Sequence, residues 1–147
     1  MNTSIASILE YKGSHVFSVP SVASVAGAVR EINRYRTGAI LVIDGGRLMG
    51  IFTARDVLKR VIAEERNPEA TPVHEVMTTD VCVGTRETTI EETMDIFELR
   101  HCRHLPVVDG DRVIGVVSIG DISRWCAMAQ RAESESMRAF ISTGLAT

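Results

Sequence analysis

The sequence predicts a mixed α/β (α+β) chain of two tandem β-α-β-β-α repeats, packed sheet to sheet as a pseudo-twofold module. Three observations carry that prediction. The turn Gly50-Ile51-Phe52-Thr53-Ala54-Arg55-Asp56 returns as Gly115-Val116-Val117-Ser118-Ile119-Gly120-Asp121, an offset of 65 positions. The correspondence extends without a gap from residues 15–62 onto residues 80–127, keeping apolar positions apolar, as an old tandem duplication would. In both halves the hydrophobic period changes in the same order, from helical spacing to short β-branched runs and back.

The elements follow in chain order. Residues 5–11 read as a short helix stopped by Gly13. Residues 16–19 and 81–83 read as the strand that opens each unit. Val25, Ala28, Val29 and Ile32 recur at helical spacing behind Ser24, and Ile90, Met94 and Phe97 recur behind Thr89-Ile90-Glu91-Glu92, the spelling of a capping box. The apolar runs 39–43 and 48–52, and again 105–108 and 113–117, flank Asp44-Gly45-Gly46 and Asp109-Gly110-Asp111. These are hairpin signals whose loops are of two residues or more. A second helical pattern closes each unit, with Val57, Leu58, Val61 and Ile62 in one and Ile122, Trp125, Cys126 and Ala129 in the other. Residues 64–77, with Pro68 and Pro72, form the connector, and residues 127–141 a helical tail with an imperfect apolar stripe. A unit of about 50 residues buries too little surface to stand alone, so the two sheets should pack together. The expected division is 1–66 for the first helix and first repeat, and 67–147 for the connector, second repeat and tail.

Composition narrows the classes of function. No apolar run approaches the roughly 20 residues that span a bilayer, and the start Met1-Asn2-Thr3-Ser4 lacks a secretory signal, so a cytoplasmic chain with no membrane partner is expected. A formal charge of −3 gives no field to attract polynucleotide, although a local basic patch could hold one or two phosphates. Cys82, Cys102 and Cys126 spell no CxxC and read as buried small hydrophobes. His101, Cys102 and His104 lack a fourth metal ligand nearby.

The two Gly-hydrophobic-x-Thr/Ser-x-x-Asp turns, the string Arg103-His104-Leu105-Pro106-Val107-Val108-Asp109, and Pro72-Val73-His74-Glu75-Val76-Met77-Thr78 resemble a tandem pair of cystathionine β-synthase (CBS) domains, a Bateman module. Lys12-Gly13 and Arg55-Asp56 are similar to small stand-alone bacterial proteins that consist of one such pair. The first repeat departs from the family string, with Gly38-Ala39-Ile40-Leu41 where the second has Arg103-His104-Leu105-Pro106. The two sites therefore need not be equivalent.

The resemblance implies an adenosine nucleotide in the cleft between the units, and the residue chemistry agrees. A carboxylate such as Asp56 or Asp121 can accept hydrogen bonds from both ribose hydroxyls. Thr53 and Ser118 open helices whose amides and dipole favour phosphate. By family position Arg103 and His104 contact phosphate, with Arg55 and Lys12 as further cations. Adenine would lie in an apolar slot near Val16 or Val81 and Ile51 or Val116, with Thr79 and Pro106 close by analogy and Gly50 and Gly115 in the strands behind. Each feature also has a plainer reading. Thr53-x-x-Asp56 and Ser118-x-x-Asp121 are capping boxes, the two glycines relieve crowding in a strand, and Arg103 and His104 are solvated charges or partners of Asp109. His15 and His74 read as surface or capping residues, and Met77, Met94, Trp125 and Phe97 as packing.

These readings converge on a non-enzymatic sensor: a regulatory module that binds an adenine nucleotide and changes a conformation read by an unknown protein in trans. AMP is favoured because the phosphate candidates suit one phosphate per site, with ATP, ADP, NAD and S-adenosylmethionine as alternatives. A homodimer is implied by the family, the tail adding a contact. The competing classes are a ligand-free dimeric scaffold and a nucleotide-processing enzyme, the latter disfavoured because no nucleophile with its base and no Walker-type loop is spelled.

Overall fold

The computed structural model describes residues 3–146; residues 1, 2 and 147, which include the outer ends of both expected domains and the first residues of the unsignalled start, lie outside the described residues. Helix α1 (Ile5–Lys12) ends at Gly13, whose φ of 92° is open to glycine and whose amide bonds the Leu9 carbonyl. β1 (Ser18–Val19) runs parallel to β2 (Ala39–Asp44), which pairs antiparallel with β3 (Arg47–Thr53). Between them α2 (Val25–Arg34) begins at Ser24, whose side chain accepts the Gly27 amide. In the second unit α4 (Ile90–Arg100) starts with the complete Thr89/Glu92 capping box and leads to the antiparallel pair β4 (His104–Asp109) and β5 (Arg112–Ser118).

The duplication is kept at the level of register. Asp44 pairs with Arg47 and Asp109 with Arg112, so both hairpins turn through two residues, and each carries a bulge next to the glycine, after Val42 and after Val107.

The opening strands are shorter than expected. In the first unit only Ser18 and Val19 pair, and in the second residues 81–83 form no strand, leaving one parallel bridge, Gly84 with Val107. Pro106 supplies the reason: the Leu41 amide bonds the Phe17 carbonyl at 3.2 Å, and the equivalent position, Pro106, has no N–H to give. The closing helices also differ from expectation. α3 (Ala54–Asp56) widens into a π-helical stretch, Val57–Ile62. α5 (Ile119–Ala146) is one continuous helix of 28 residues, not a closing helix followed by a separate tail, since neither Gly nor Pro occurs in 121–142. The three cysteines are half-buried, not fully buried.

The chain exchanges its lead-in segments between units. Ile5, Ile8 and Leu9 of α1 enter the core of the second unit with Phe97, Leu105 and Val117. Val73, Val76 and Met77 of the connector enter the core of the first with Val42 and Phe52. Backbone bonds seal both exchanges, Ile5 amide to Thr88 carbonyl at 2.8 Å and Val73 amide to Ala23 carbonyl at 2.7 Å. A third cluster, Ala39, Leu41 and Ile51 with Val81, Val113 and Val116, joins the two sheets face to face as expected.

Each exchanged segment presses on a strand glycine. A Cβ on Gly50 would stand 2.6 Å from Met77 Sδ and 2.7 Å from the Thr78 carbonyl oxygen, and one on Gly115 would stand 2.7 Å from Leu9 Cδ2. The Thr78 backbone is tied in both directions to Ile51 at 2.9 Å, whereas the end of Leu9 can rotate. Gly50→Ala should therefore destabilise by about 1–3 kcal/mol through overpacking, and by more than Gly115→Ala. Urea unfolding of the two variants checks this order.

Candidate functional site

Both repeated turns work as capping boxes. Asp56 Oδ2 accepts the Thr53 amide at 3.0 Å, Asp121 Oδ2 accepts the Ser118 amide at 2.8 Å, and the Asp121 amide donates to Ser118 Oγ at 3.1 Å. Beyond that shared core the two copies diverge.

Around Asp56 the carboxylate is engaged by the first unit and the connector. The carboxylate is 4% exposed, and its Oδ1 accepts the Thr78 hydroxyl at 3.0 Å. Arg55 does not stay beside it; Nη1 crosses to the second unit and donates to the carbonyl of His101 at 3.0 Å. His101 caps α4 in the left-handed region at φ 52°, which aims that carbonyl outward.

Around Asp121 the arrangement is open. Lys12 Nζ donates to Asp121 Oδ2 at 2.6 Å and to the Val116 carbonyl at 2.7 Å, and Arg124 donates to Oδ1 at 2.7 Å. Burial pushes the Asp121 carboxyl up, but the bonds from Lys12 and the Ser118 amide outweigh it and hold it below the ordinary aspartate value. It stays ionised at neutral pH, ready to accept hydroxyl donors.

Asp121 and Ser118 line a cleft of about 420 Å³ between the units. Its walls combine apolar Leu41, Ile51 and Val116 with Lys12, Arg36, Arg124 and the neutral donors Thr37 and Ser118. Arg36 makes no ion pair among the described residues, so the cleft carries surplus positive charge. At the rim His15, Phe17 and Tyr35 form a ladder of near-parallel rings, Phe17 to Tyr35 at 4.0 Å and His15 to Phe17 at 6.2 Å. His104 fills the space that Gly38 leaves vacant, since a Cβ there would lie 3.2 Å from its Cε1. That contact explains the departure of the first repeat at Gly38.

Desolvation lowers the His104 pKa below the ordinary histidine value, with Lys12 and Arg103 adding to the effect against Asp121. A depressed folded-state pKa means that the unfolded chain binds the proton first on acidification. Stability present above about pH 6.5 is therefore lost as pH falls through the folded value. Wild-type protein should lose urea resistance as pH falls below about 6.5, and His104→Gln should lose less.

Of the residues expected at the site, Lys12, Ile51, His104, Val116, Ser118 and Asp121 line this cleft. Thr53, Arg55 and Asp56 belong to the other copy of the turn, while Gly50 and Gly115 lie beneath Met77 and Leu9. Val81 sits in the sheet-to-sheet cluster, and Val16 packs there while also lining a second cavity with Glu10, Arg86 and Arg112. Pro106 is buried in β4 opposite Val116. Thr79 and Arg103 are exposed, and the Arg103 carbonyl accepts the Ile119 amide at 2.9 Å.

The residue-level reading missed His15, Phe17, Arg36, Thr37 and Arg124, all on the cleft lining. A signal for them existed. Under a pseudo-twofold, the partner of a turn in one repeat comes from the other. Arg36 and Thr37 stand 65 positions before His101 and Cys102, and Arg36 shares the φ of 52° found at His101.

The family model of the CBS domain matches residues 9–63 and 73–127, so both units are covered. The chain belongs to the CBS-domain family. It is 32% identical over 126 residues to the mitochondrial CBS domain-containing protein CBSX3 of Arabidopsis thaliana, covering 82% of this chain and 61% of that one. A protein with CBS domains from Burkholderia ambifaria MC40-6 superposes with a TM-score of 0.81 at 35% identity, covering 84% of this chain and 93% of that one. The CBS domain protein PAE2072 of Pyrobaculum aerophilum, solved in complex with AMP, shares the fold with a TM-score of 0.71 at 20% identity, covering 80% and 88%. A tandem CBS pair is a regulatory module. No helix among the described residues is long and apolar enough to cross a membrane.

Proposed function

We propose that this CBS pair is a sensor of an adenosine nucleotide, held in the cleft at Asp121, and that binding alters the relation of the two units in a way read by another protein. The observation that carries the reading is the cleft itself. A buried carboxylate at the start of a long helix lies beside an apolar wall and a surplus of cations, which are the donors and acceptors that ribose, adenine and phosphate require. The Asp121 oxygens take the ribose hydroxyls. Ser118, Arg36 and the first-turn amide of Gly120 lie where a phosphate gains from the dipole of α5. AMP is the favoured ligand, with ADP, ATP and NAD as alternatives, and the AMP complex of the Pyrobaculum protein supports that choice at the level of the fold.

The copy at Asp56 is proposed as structural, because the Thr78 hydroxyl occupies the carboxylate and Arg55 is turned away to the His101 carbonyl. Calorimetric titration of the stripped protein with AMP, ATP and NAD should give saturable binding of one nucleotide per chain. Silence from all of them would favour the ligand-free scaffold.

The second half of the reading is a homodimer acting on a target in trans, without catalysis. Residues 130–142 of α5 are exposed along most of their length, with Met137, Phe140 and Ile141 at 57%, 77% and 52%. Such an apolar stripe gains from a symmetry mate. Sedimentation should give about twice the 16.1 kDa chain mass, and Phe140→Glu should shift it toward the monomer.

A further inference from the structure

We infer that Lys12 is a latch on Asp121 that only a phosphate-bearing ligand releases, which makes it the residue that selects nucleotides over nucleosides and over cationic adenosine compounds. The inference rests on the nucleotide reading of the cleft and adds a rule for what enters it. Both Asp121 oxygens accept hydrogen bonds from the chain itself. Oδ2 accepts from the Ser118 amide and Lys12 Nζ, and Oδ1 accepts from Arg124. Oδ2 already holds two donors, so a ribose hydroxyl that bonds it must displace Lys12, whereas Oδ1 can take the other hydroxyl beside Arg124.

The two cations are not held alike. The Arg124 side chain is 71% exposed and can swing into solvent. The Lys12 side chain is 32% exposed and has a second anchor in the Val116 carbonyl at 2.7 Å. Moreover, Lys12 ends α1, and Leu9 one turn earlier is seated against Gly115, so the backbone that carries the ammonium is fixed beside the carboxylate. A neutral nucleoside that displaces this ammonium leaves it in a half-buried cleft with no counter-charge. A nucleotide brings the counter-charge with it. Its phosphate takes over the Lys12 ammonium as the ribose takes over Asp121, and Arg36 on the same lining adds a second cation.

The same arithmetic of charge excludes S-adenosylmethionine. Its sulfonium and ammonium outnumber its carboxylate, and they would face Lys12, Arg36 and Arg124. Of the adenosine compounds considered, the cleft accepts the anionic ones.

The test is a calorimetric comparison of AMP, adenosine and S-adenosylmethionine on wild type, Lys12→Met and Lys12→Arg. Wild type should prefer AMP over adenosine by at least about 10-fold and give no heat with S-adenosylmethionine. Lys12→Met should close the gap from both sides, weakening AMP and strengthening adenosine, so that the ratio falls by roughly 10-fold. Lys12→Arg, which keeps the charge, should retain most of the preference and shows that the site remains folded. If wild type bound adenosine as tightly as AMP, or if Lys12→Met left the ratio unchanged, the latch would be overturned while the nucleotide site stood. If wild type bound neither AMP nor adenosine, AMP would not be the ligand of the cleft, and the latch would fall with it.

Discussion

Asp121→Ala is expected to weaken AMP binding by roughly 10-fold to 100-fold, because hydrogen bonds to a charged carboxylate contribute about 1.5–3 kcal/mol. Asp56→Ala is expected to change AMP affinity by less than about threefold. The two residues occupy the same position of the repeated turn and are both buried, at 8% and 4% exposure. What separates them is the neighbourhood. Asp121 opens onto the cleft, and its partners Lys12 and Arg124 can be exchanged for a ligand's groups. Asp56 accepts the Thr53 amide and the Thr78 hydroxyl, with Arg60 Nε 3.8 Å from its Oδ1.

The stability effects should run in the opposite order. Removing the Asp56 carboxylate leaves those two donors unsatisfied in a buried setting, at about 1–3 kcal/mol. Removing Asp121 frees Arg124, which reaches water, and leaves Lys12 its bond to the Val116 carbonyl, though it also strips the cap from α5. Calorimetry and urea unfolding on the same pair of variants should therefore divide them, Asp121→Ala losing affinity and Asp56→Ala losing stability. Equal loss of AMP binding in both would sink the assignment of the open cleft as the working site.

Ile8→Ala should cost about 2–5 kcal/mol, the range for emptying a fully packed core position. Ile8 is 1% exposed and lies with Ile5 and Leu9 among Phe97, Leu105, Val117 and Ile122, all from the second unit. A local helix ahead of the first repeat would tolerate the change. The readout is the single tryptophan, Trp125, which packs on that same core and meets Tyr11 of α1 edge-on with ring centroids 6.1 Å apart. Its fluorescence transition should move to lower urea in Ile8→Ala and stay in place in Glu10→Ala, since Glu10 is exposed on the same helix. An unchanged transition in Ile8→Ala would mean that α1 is not part of the core that folds.

Much of the fold was legible because its signals are local. Ser24 and Thr89 cap the helices they precede, Gly13 ends α1, and the Asp-Gly pairs turn both hairpins. The failures share a different cause. The strand at 81–83 was lost because its ladder partner at position 106 is a proline, 23 or more residues away. Exchange of α1 and the connector between the units could not be read from spacing either. An amphipathic segment specifies that it must be covered, and leaves open which sheet covers it.

At the site, the pattern Thr/Ser-x-x-Asp marked both copies equally, and nothing within either turn ranks one above the other. The sequence by itself determined the duplicated unit, the capped helix behind each turn, and a carboxylate and hydroxyl at each, because these depend on contacts within a few residues. Only the tertiary structure decided which copy is open. Arg55 reaches the His101 carbonyl across 46 residues, whereas Lys12 reaches Asp121 across 109 and stands in the cleft between the units. Such long-range contacts depend on how two sheets are laid together, and the packing of sheets is a property of the whole chain.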